Sequence, residues 1–163
     1  MISNNTLGLD AIDLRILDQL QRDASLTNQA LAASVHVSPA TCMRRVRKLV
    51  EAKVIERQVA ILSAERLGAG LTAIVEVTLD AQSADHLQAF ETRVSNAAEV
   101  QQCYRVSSGP DFVMILQVVD MAAYQGLAHR LFAGDANVRN VRTFFSVKRS
   151  KFSPAISLPS ATA

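Results

Sequence analysis

Within "VSPATCMRRVRKLV", residues 37–50, four of the five residues from 44 to 48 are cations: Arg44, Arg45, Arg47 and Lys48. Arginine and lysine at this density neutralise phosphates, and an arginine fork can also grip O6 and N7 of guanine in the DNA major groove. Ser38, just ahead of them, offers a hydroxyl, and the helix start beside it offers unpaired backbone N–H groups; both suit a phosphate oxygen. A solvated face of a bundle helix would carry the same charges. The elements around the run have to decide between the two readings.

Those elements read as helices. In "LDAIDLRILDQLQRD", Leu9, Ile12, Ile16 and Leu20 recur at helical spacing, with Leu17 widening the stripe. Asp10 fits an N-cap with Asp13 three residues later, and Leu9 and Leu14 form a hydrophobic staple. "TNQALAASV" reads as a second short helix capped by Thr27, with Leu26 and Leu31 as its staple. A tight turn at His36 follows, where a positive φ is often needed and histidine is better tolerated than a β-branched residue. Ser38 then caps a third helix with Pro39 at its first position, where the missing N–H costs nothing. On a wheel, Cys42, Met43, Val46, Leu49 and Val50 form the inward face, opposite Thr41, Arg44 and Lys48, with Arg45 and Arg47 flanking. Two helices, a tight turn and an outward basic face make a helix-turn-helix, over about residues 28–47, and favour DNA. The DNA-facing set is Thr27, Asn28, Ser38, Pro39, Thr41, Arg44, Arg45, Arg47 and Lys48.

"VIERQVAILS" then reads as a short strand pair or wing, which closes a first domain over 1–62, and the glycines of "ERLGAG" mark a linker at 63–70. From residue 71 the period changes. "LTAIVEVTL" alternates, with Leu71, Ala73, Val75, Val77 and Leu79 on one side. "SADHLQAFETRV" is helical, with Ala84, Leu87, Phe90 and Val94 inward. "VQQCYRVS" and "FVMILQVV" are strands joined by the turn "SGPD". "DMAAYQGLAHRLF" is a helix capped by Asp120, with Tyr124, Leu127 and Leu131 inward, and "VRNVRTFFSVK" is a last strand. This β-α-β-β-α-β order is the ferredoxin-like pattern, over residues 71–152, and the fold class is α+β. Residues 153–163, with proline and serine and no charge, read as a flexible tail.

The turn "SSGPDF", residues 107–112, is a second candidate site. Its backbone N–H groups could meet a carboxylate, and Asp111 and Asp120 could meet an ammonium group. A hairpin turn followed by an ordinary capping aspartate explains the same residues, and from spacing alone that is the simpler reading. No residues here form a nucleophile–base pair, a phosphate-cradling glycine loop or a metal box, so neither an enzyme nor a cofactor is expected. Cys42 and Cys103 are far apart with no metal spacing and read as reduced packing residues; His86 and His129 read as surface residues.

The formal net charge is +2 over 163 residues, too small for the whole chain to attract DNA indiscriminately. Its distribution is more telling: residues 10–23 carry four acids and two arginines (−2), and residues 44–57 carry six bases and two acids (+4). A basic segment on a near-neutral chain marks a docking face. No apolar run approaches the roughly 20 residues that span a bilayer, and "MISNNTLGLD" lacks a signal peptide's regions, so a cytoplasmic protein is expected.

"LDAIDLRILDQLQRDASLTNQALAASVHVSPATCMRRVRKLVEAKVI", followed by "VSSGPDF" and "VVDMAAYQGL", resembles the bacterial leucine-responsive (Lrp/AsnC, feast/famine) transcription regulators over about residues 9–152. The resemblance implies a winged helix-turn-helix binding double-stranded DNA, and a ferredoxin-like domain that pairs into homodimers and assembles further into tetramers or octamers. It also implies a small effector, an amino acid, bound between C-terminal domains near Ser107, Ser108, Gly109, Asp111, Phe112 and Asp120. Two residues depart from the family pattern: His36 stands where the turn usually has glycine, and Ser108 where the effector loop does. An effector-independent architectural DNA protein is the alternative within this class. A small-molecule-binding ferredoxin-like module without DNA function is the alternative outside it.

Overall fold

Asp10 opens the first helix as expected. Its carboxylate accepts from the N–H groups of Ile12 and Asp13, both at 2.9 Å, while the Asp13 carboxylate accepts from Asp10 N at 3.2 Å. This reciprocal capping box starts α1 (Ala11–Arg22). Thr27 caps α2 (Asn28–Ser34) by accepting from Ala30 N, and Ser38 caps α3 (Pro39–Glu51) by accepting from Thr41 N. The computed structural model describes residues 8–68 and 70–158, which divide into an N-terminal unit ending at Ile61 and a second unit over 62–150.

The N-terminal unit is built on Ile16, Leu17, Leu31, Ala32, Val35, Cys42 and Leu49, with Leu9, Ile12, Leu20, Leu26 and Val46 packed around them. Cys42 is fully buried, and burial pushes its thiol up from the ordinary value. Two residues expected in this core are not there: Met43 is 53% and Val50 44% exposed. Three short helices bury only a narrow arc of α3, centred on Cys42 and Leu49. Met43 lies one residue, or about 100°, outside that arc.

The wing region also departs from expectation. Val54 and Ile55 both donate to the Leu49 carbonyl and pack into the core. Residues 56–63 then run without regular secondary structure, so no strand pair forms there among the described residues. A strand needs a neighbour to satisfy its backbone, and these residues meet none in a single chain. Val59 and Ile61 are left exposed.

The tail is the third departure. Residues 151–158 belong with the N-terminal unit instead of running free. Gln21 accepts from Ile156 N at 2.8 Å and donates to Ile156 O at 3.2 Å, and Leu158 packs against the core. Residues 159–163 lie outside the described residues. Low charge and proline content describe such a segment equally well whether it is loose or docked.

The second unit contains β1 (Leu71–Leu79), α4 (Ala84–Ser95), β2 (Val100–Arg105), β3 (Phe112–Val118), α5 (Met121–Ala128) running into a wider π-turn at His129–Ala133, and β4 (Val138–Phe145). The four strands form one antiparallel sheet in the order β2-β3-β1-β4. This is the ferredoxin-like arrangement. The inward residues of β1 alternate as read: Ala73, Val75, Val77 and Leu79 are buried and Leu71 packs at the rim. Phe90, Val94, Leu127 and Leu131 meet them from the helices. Ala84, expected inward, is exposed because it lies in the first turn of α4, at the edge of the sheet's cover.

Candidate functional site

The turn between α2 and α3 sets the angle at which α3 is presented. His36 adopts φ 58, Val37 N donates to Ala32 O at 3.0 Å, and His36 N donates to Ala33 O at 3.2 Å. These bonds close a Schellman cap with histidine in the left-handed position usually given to glycine. Asn28, read as a DNA contact, donates instead to the Pro39 carbonyl at 2.8 Å. It locks the start of α2 to the first turn of α3.

Along α3 the expected contact set splits. Ser38 Oγ donates to Thr41 Oγ1 at 2.9 Å while accepting from Thr41 N, so these two hydroxyls are occupied with each other. Thr27, Ser38 and Pro39 are exposed. Arg44, Arg47 and Lys48 are exposed, and no ion-pair partner is found for them among the described residues. Arg45 is different. Its guanidinium donates to Asp10 Oδ2 at 2.6 Å and Asp13 Oδ1 at 2.8 Å, with only 18% of the side chain exposed. The N–H of Asp13 above all holds the Asp10 carboxyl below the usual range; burial opposes it, and Arg45 and the Ile12 N–H add to the lowering. Asp13 and Asp10 in turn hold the proton on Arg45 more firmly.

Arg45 therefore fastens α3 to the start of α1, its guanidinium held by two carboxylates at the edge of the surface that Arg44, Arg47 and Lys48 share. Neither Asp10 nor Asp13 was read as its partner, because contacts across 35 and 32 residues leave no periodic trace in a sequence. The remaining three cations can neutralise phosphates or fork onto guanine without first breaking an ion pair.

The residues of the second candidate site do not converge. Ser107, Ser108 and Gly109 lie on an exposed turn in which Gly109 takes φ 88. Asp111 Oδ2 accepts from Leu79 N at 2.7 Å, and Asp111 N donates to Val77 O at 2.9 Å. Its carboxylate thus seals the point where the β1–β4 register shifts between Thr78 and Leu79. Phe112 is fully buried, 4.7 Å from the Phe90 ring. Asp120 caps α5 by accepting from Ala123 N at 2.8 Å. It sits beyond the far end of β3, a seven-residue strand that is about 20 Å long. One small ligand cannot touch both aspartates of a single chain. One concavity of this unit lies elsewhere, between α5 with its π-turn and β4, at about 560 Å³, lined by Tyr124, His129, Arg139, Asn140 and Thr143 among others. No expected effector residue lines it. Among the described residues no group of three or more His, Cys, Asp or Glu is placed to hold a metal.

Residues 9–56 match the winged helix-turn-helix DNA-binding family model, and residues 72–156 match that of the Lrp/AsnC ligand binding domain. The chain is 38% identical over 143 residues to the leucine-responsive regulatory protein of Rhizobium meliloti, covering 88% of this chain and 92% of that one. This chain belongs to the Lrp/AsnC family of transcription regulators. An AsnC-family regulator from Agrobacterium tumefaciens superposes with a TM-score of 0.85 at 32% identity, over 91% of this chain and 97% of the other. A Neisseria meningitidis regulator solved as a complex with L-Met does so with a TM-score of 0.84 at 28% identity, over 91% and 96%. This Lrp/AsnC chain is thus a transcription regulator with a helix-turn-helix DNA-binding domain and a ligand-binding domain. Its matched relatives include leucine-responsive regulatory proteins. No helix among the described residues is long and apolar enough to cross a membrane.

Proposed function

We propose that α3 is inserted into the major groove with Arg44, Arg47 and Lys48 as its DNA contacts, and that an amino acid bound at C-terminal domain interfaces modulates DNA binding or assembly. The observation that carries the first part is the division of labour on α3. One arginine is consumed in holding the helix, and three cations are left unpaired on its outward side. Such a protein works where the chromosome is, in the cytoplasm.

Two observations support the second part: the ligand-binding family model over residues 72–156 and the relative solved with L-Met. Ser107, Ser108 and Gly109 provide only one wall of a site, and Asp111 and Phe112 are used within the fold. A second copy of the chain has to supply the rest, which makes a homodimer, assembling to a tetramer or octamer, the binding-competent form. The ligand then acts by linkage: it favours the assembly that completes its site, and that assembly sets the spacing of paired α3 helices on the operator.

The test is a thermal-shift screen against the twenty amino acids, paired with sedimentation and operator binding. A hit that raises the melting temperature, changes the assembly state and is abolished by Ser108→Trp supports the whole scheme. Ser108→Trp leaves the Asp111–Leu79 bond untouched, which Asp111→Ala would not. The internal commitments of Asp111, Phe112 and Asp120 favour a second reading, a regulator that needs no effector. Silence across the screen with intact operator binding would select it.

A further inference from the structure

Two large apolar side chains of α3 are exposed, Met43 and Val50, and Met43 is the one in the N-terminal half of the helix. Helical periodicity assigns it to the core, yet it is 53% exposed, beside a neighbour, Cys42, that is fully buried. At 100° per residue, Ala40, Met43, Arg44 and Arg47 stand at i, i+3, i+4 and i+7 and so form one contiguous patch over the first two turns. Ala40, Arg44 and Arg47 are all exposed. The N-terminal turns of a recognition helix are the part that meets base edges.

A hydrophobic side chain set among unpaired arginines has few natural partners. Another protein surface would have to bury those arginines along with the methionine. The major groove instead offers anionic phosphates for the cations and one apolar feature at its floor, the thymine C5-methyl group. Met43 is long and unbranched enough to follow such a methyl group, and exposed Ala40 adds no bulk beside it.

We propose that Met43 is a specificity-determining residue, one that reads a thymine methyl next to the base pair contacted by Arg44 or Arg47. This rests on α3 lying in the major groove. It adds that recognition is partly apolar, so the operator half-site carries a thymine whose methyl group, and not its hydrogen-bonding edge, is sensed.

The experiment uses the full chain and a duplex selected by it from a randomised pool. Each thymine of a half-site is replaced in turn by uracil, which removes only the methyl group. For the wild type, one position per half-site loses about fourfold in affinity, the equivalent of one methyl group returned to water. Met43→Ala binds more weakly but shows no uracil penalty at that position, and Met43→Leu restores it. The exposure of Met43 lets both variants fold, which unchanged melting temperatures verify. If no uracil position matters to the wild type, or the penalty persists in Met43→Ala, Met43 does not read a methyl group. If Met43→Ala alters the oligomeric state and leaves the penalty intact, the face is a protein interface and the proposal is wrong. Arg44→Ala and Arg47→Ala separate the two levels. Undiminished binding in both overturns the placement of α3 itself, whereas a loss with no uracil effect overturns Met43 alone.

Discussion

Replacing Arg45 with alanine separates a structural arginine from a DNA-contacting one. The substitution removes two charge-assisted hydrogen bonds, at 2.6 and 2.8 Å, and leaves the Asp13 carboxylate, its side chain only 6% exposed, without a counter-cation and with the Asp10 N–H as its remaining partner. Truncating one partner of a buried pair costs about 3–5 kcal/mol. Asp10, half exposed, contributes about 0–1 kcal/mol as a surface partner. Because Arg45 itself keeps some contact with water, the lower end applies, about 3 kcal/mol. For a unit of this size that lowers the melting temperature by about 10–20 °C. Circular dichroism melts of Arg45→Ala and Arg44→Ala, with operator binding measured against salt at 10 °C, give the comparison. Arg44→Ala should melt like the wild type and reduce the log–log salt slope by about one. Arg45→Ala should melt early and keep the wild-type slope while still folded. The double variant Arg45→Ala/Asp13→Ala should cost less than the sum of the singles, because the uncompensated buried charge is gone. An Arg45→Ala protein with an unchanged melt and a reduced slope would show that Arg45 contacts phosphate and that the ion pair does not hold α3.

Asp111→Ala leaves the Leu79 N–H without its acceptor and should cost about 1–3 kcal/mol of stability, read from a lowered urea midpoint at unchanged slope, most of it recovered in Asp111→Asn. Gln21→Ala removes both bonds to Ile156, at 2.8 and 3.2 Å, and should speed hydrogen exchange at the Ile156 amide while leaving β3 protected. The Asp10 carboxyl lies below its ordinary value in the folded protein. The stability it contributes is therefore present above about pH 4 and lost as the pH falls through the lowered value. Asp10→Asn should flatten that part of the acid-unfolding curve, and an unchanged curve would contradict the cap and ion-pair assignment.

What the sequence made legible was mostly local. The caps at Asp10, Thr27 and Ser38, the turn at His36 and the alternation of β1 each follow from residues within one or two turns of each other. Periodicity gave the direction in which α3 faces its core. It could not give the width of the covered arc, so Met43 and Val50 were placed inside. Arg45 looked like its neighbours because its partners lie more than 30 residues away. Asp111 showed the same limit: an aspartate in a glycine-containing turn reads as available, and only the fold brings Leu79 N within 2.7 Å of it. The docked tail carried no pattern at all, since a few scattered apolar residues gain meaning only from the surface they meet.

That tail means the N-terminal unit is not contiguous along the chain. Residues 8–61 leave the ribosome first, but the segment that finishes their apolar cover, 151–158, follows only after all four strands of the sheet have been made. A nascent chain thus exposes the Leu17–Ile55 side of its DNA-binding helices until residues 151–158 emerge. The same order of synthesis makes a fragment cut after residue 61 a different object from the domain in the whole protein. It would have the same three helices, with one side of their core left open to water.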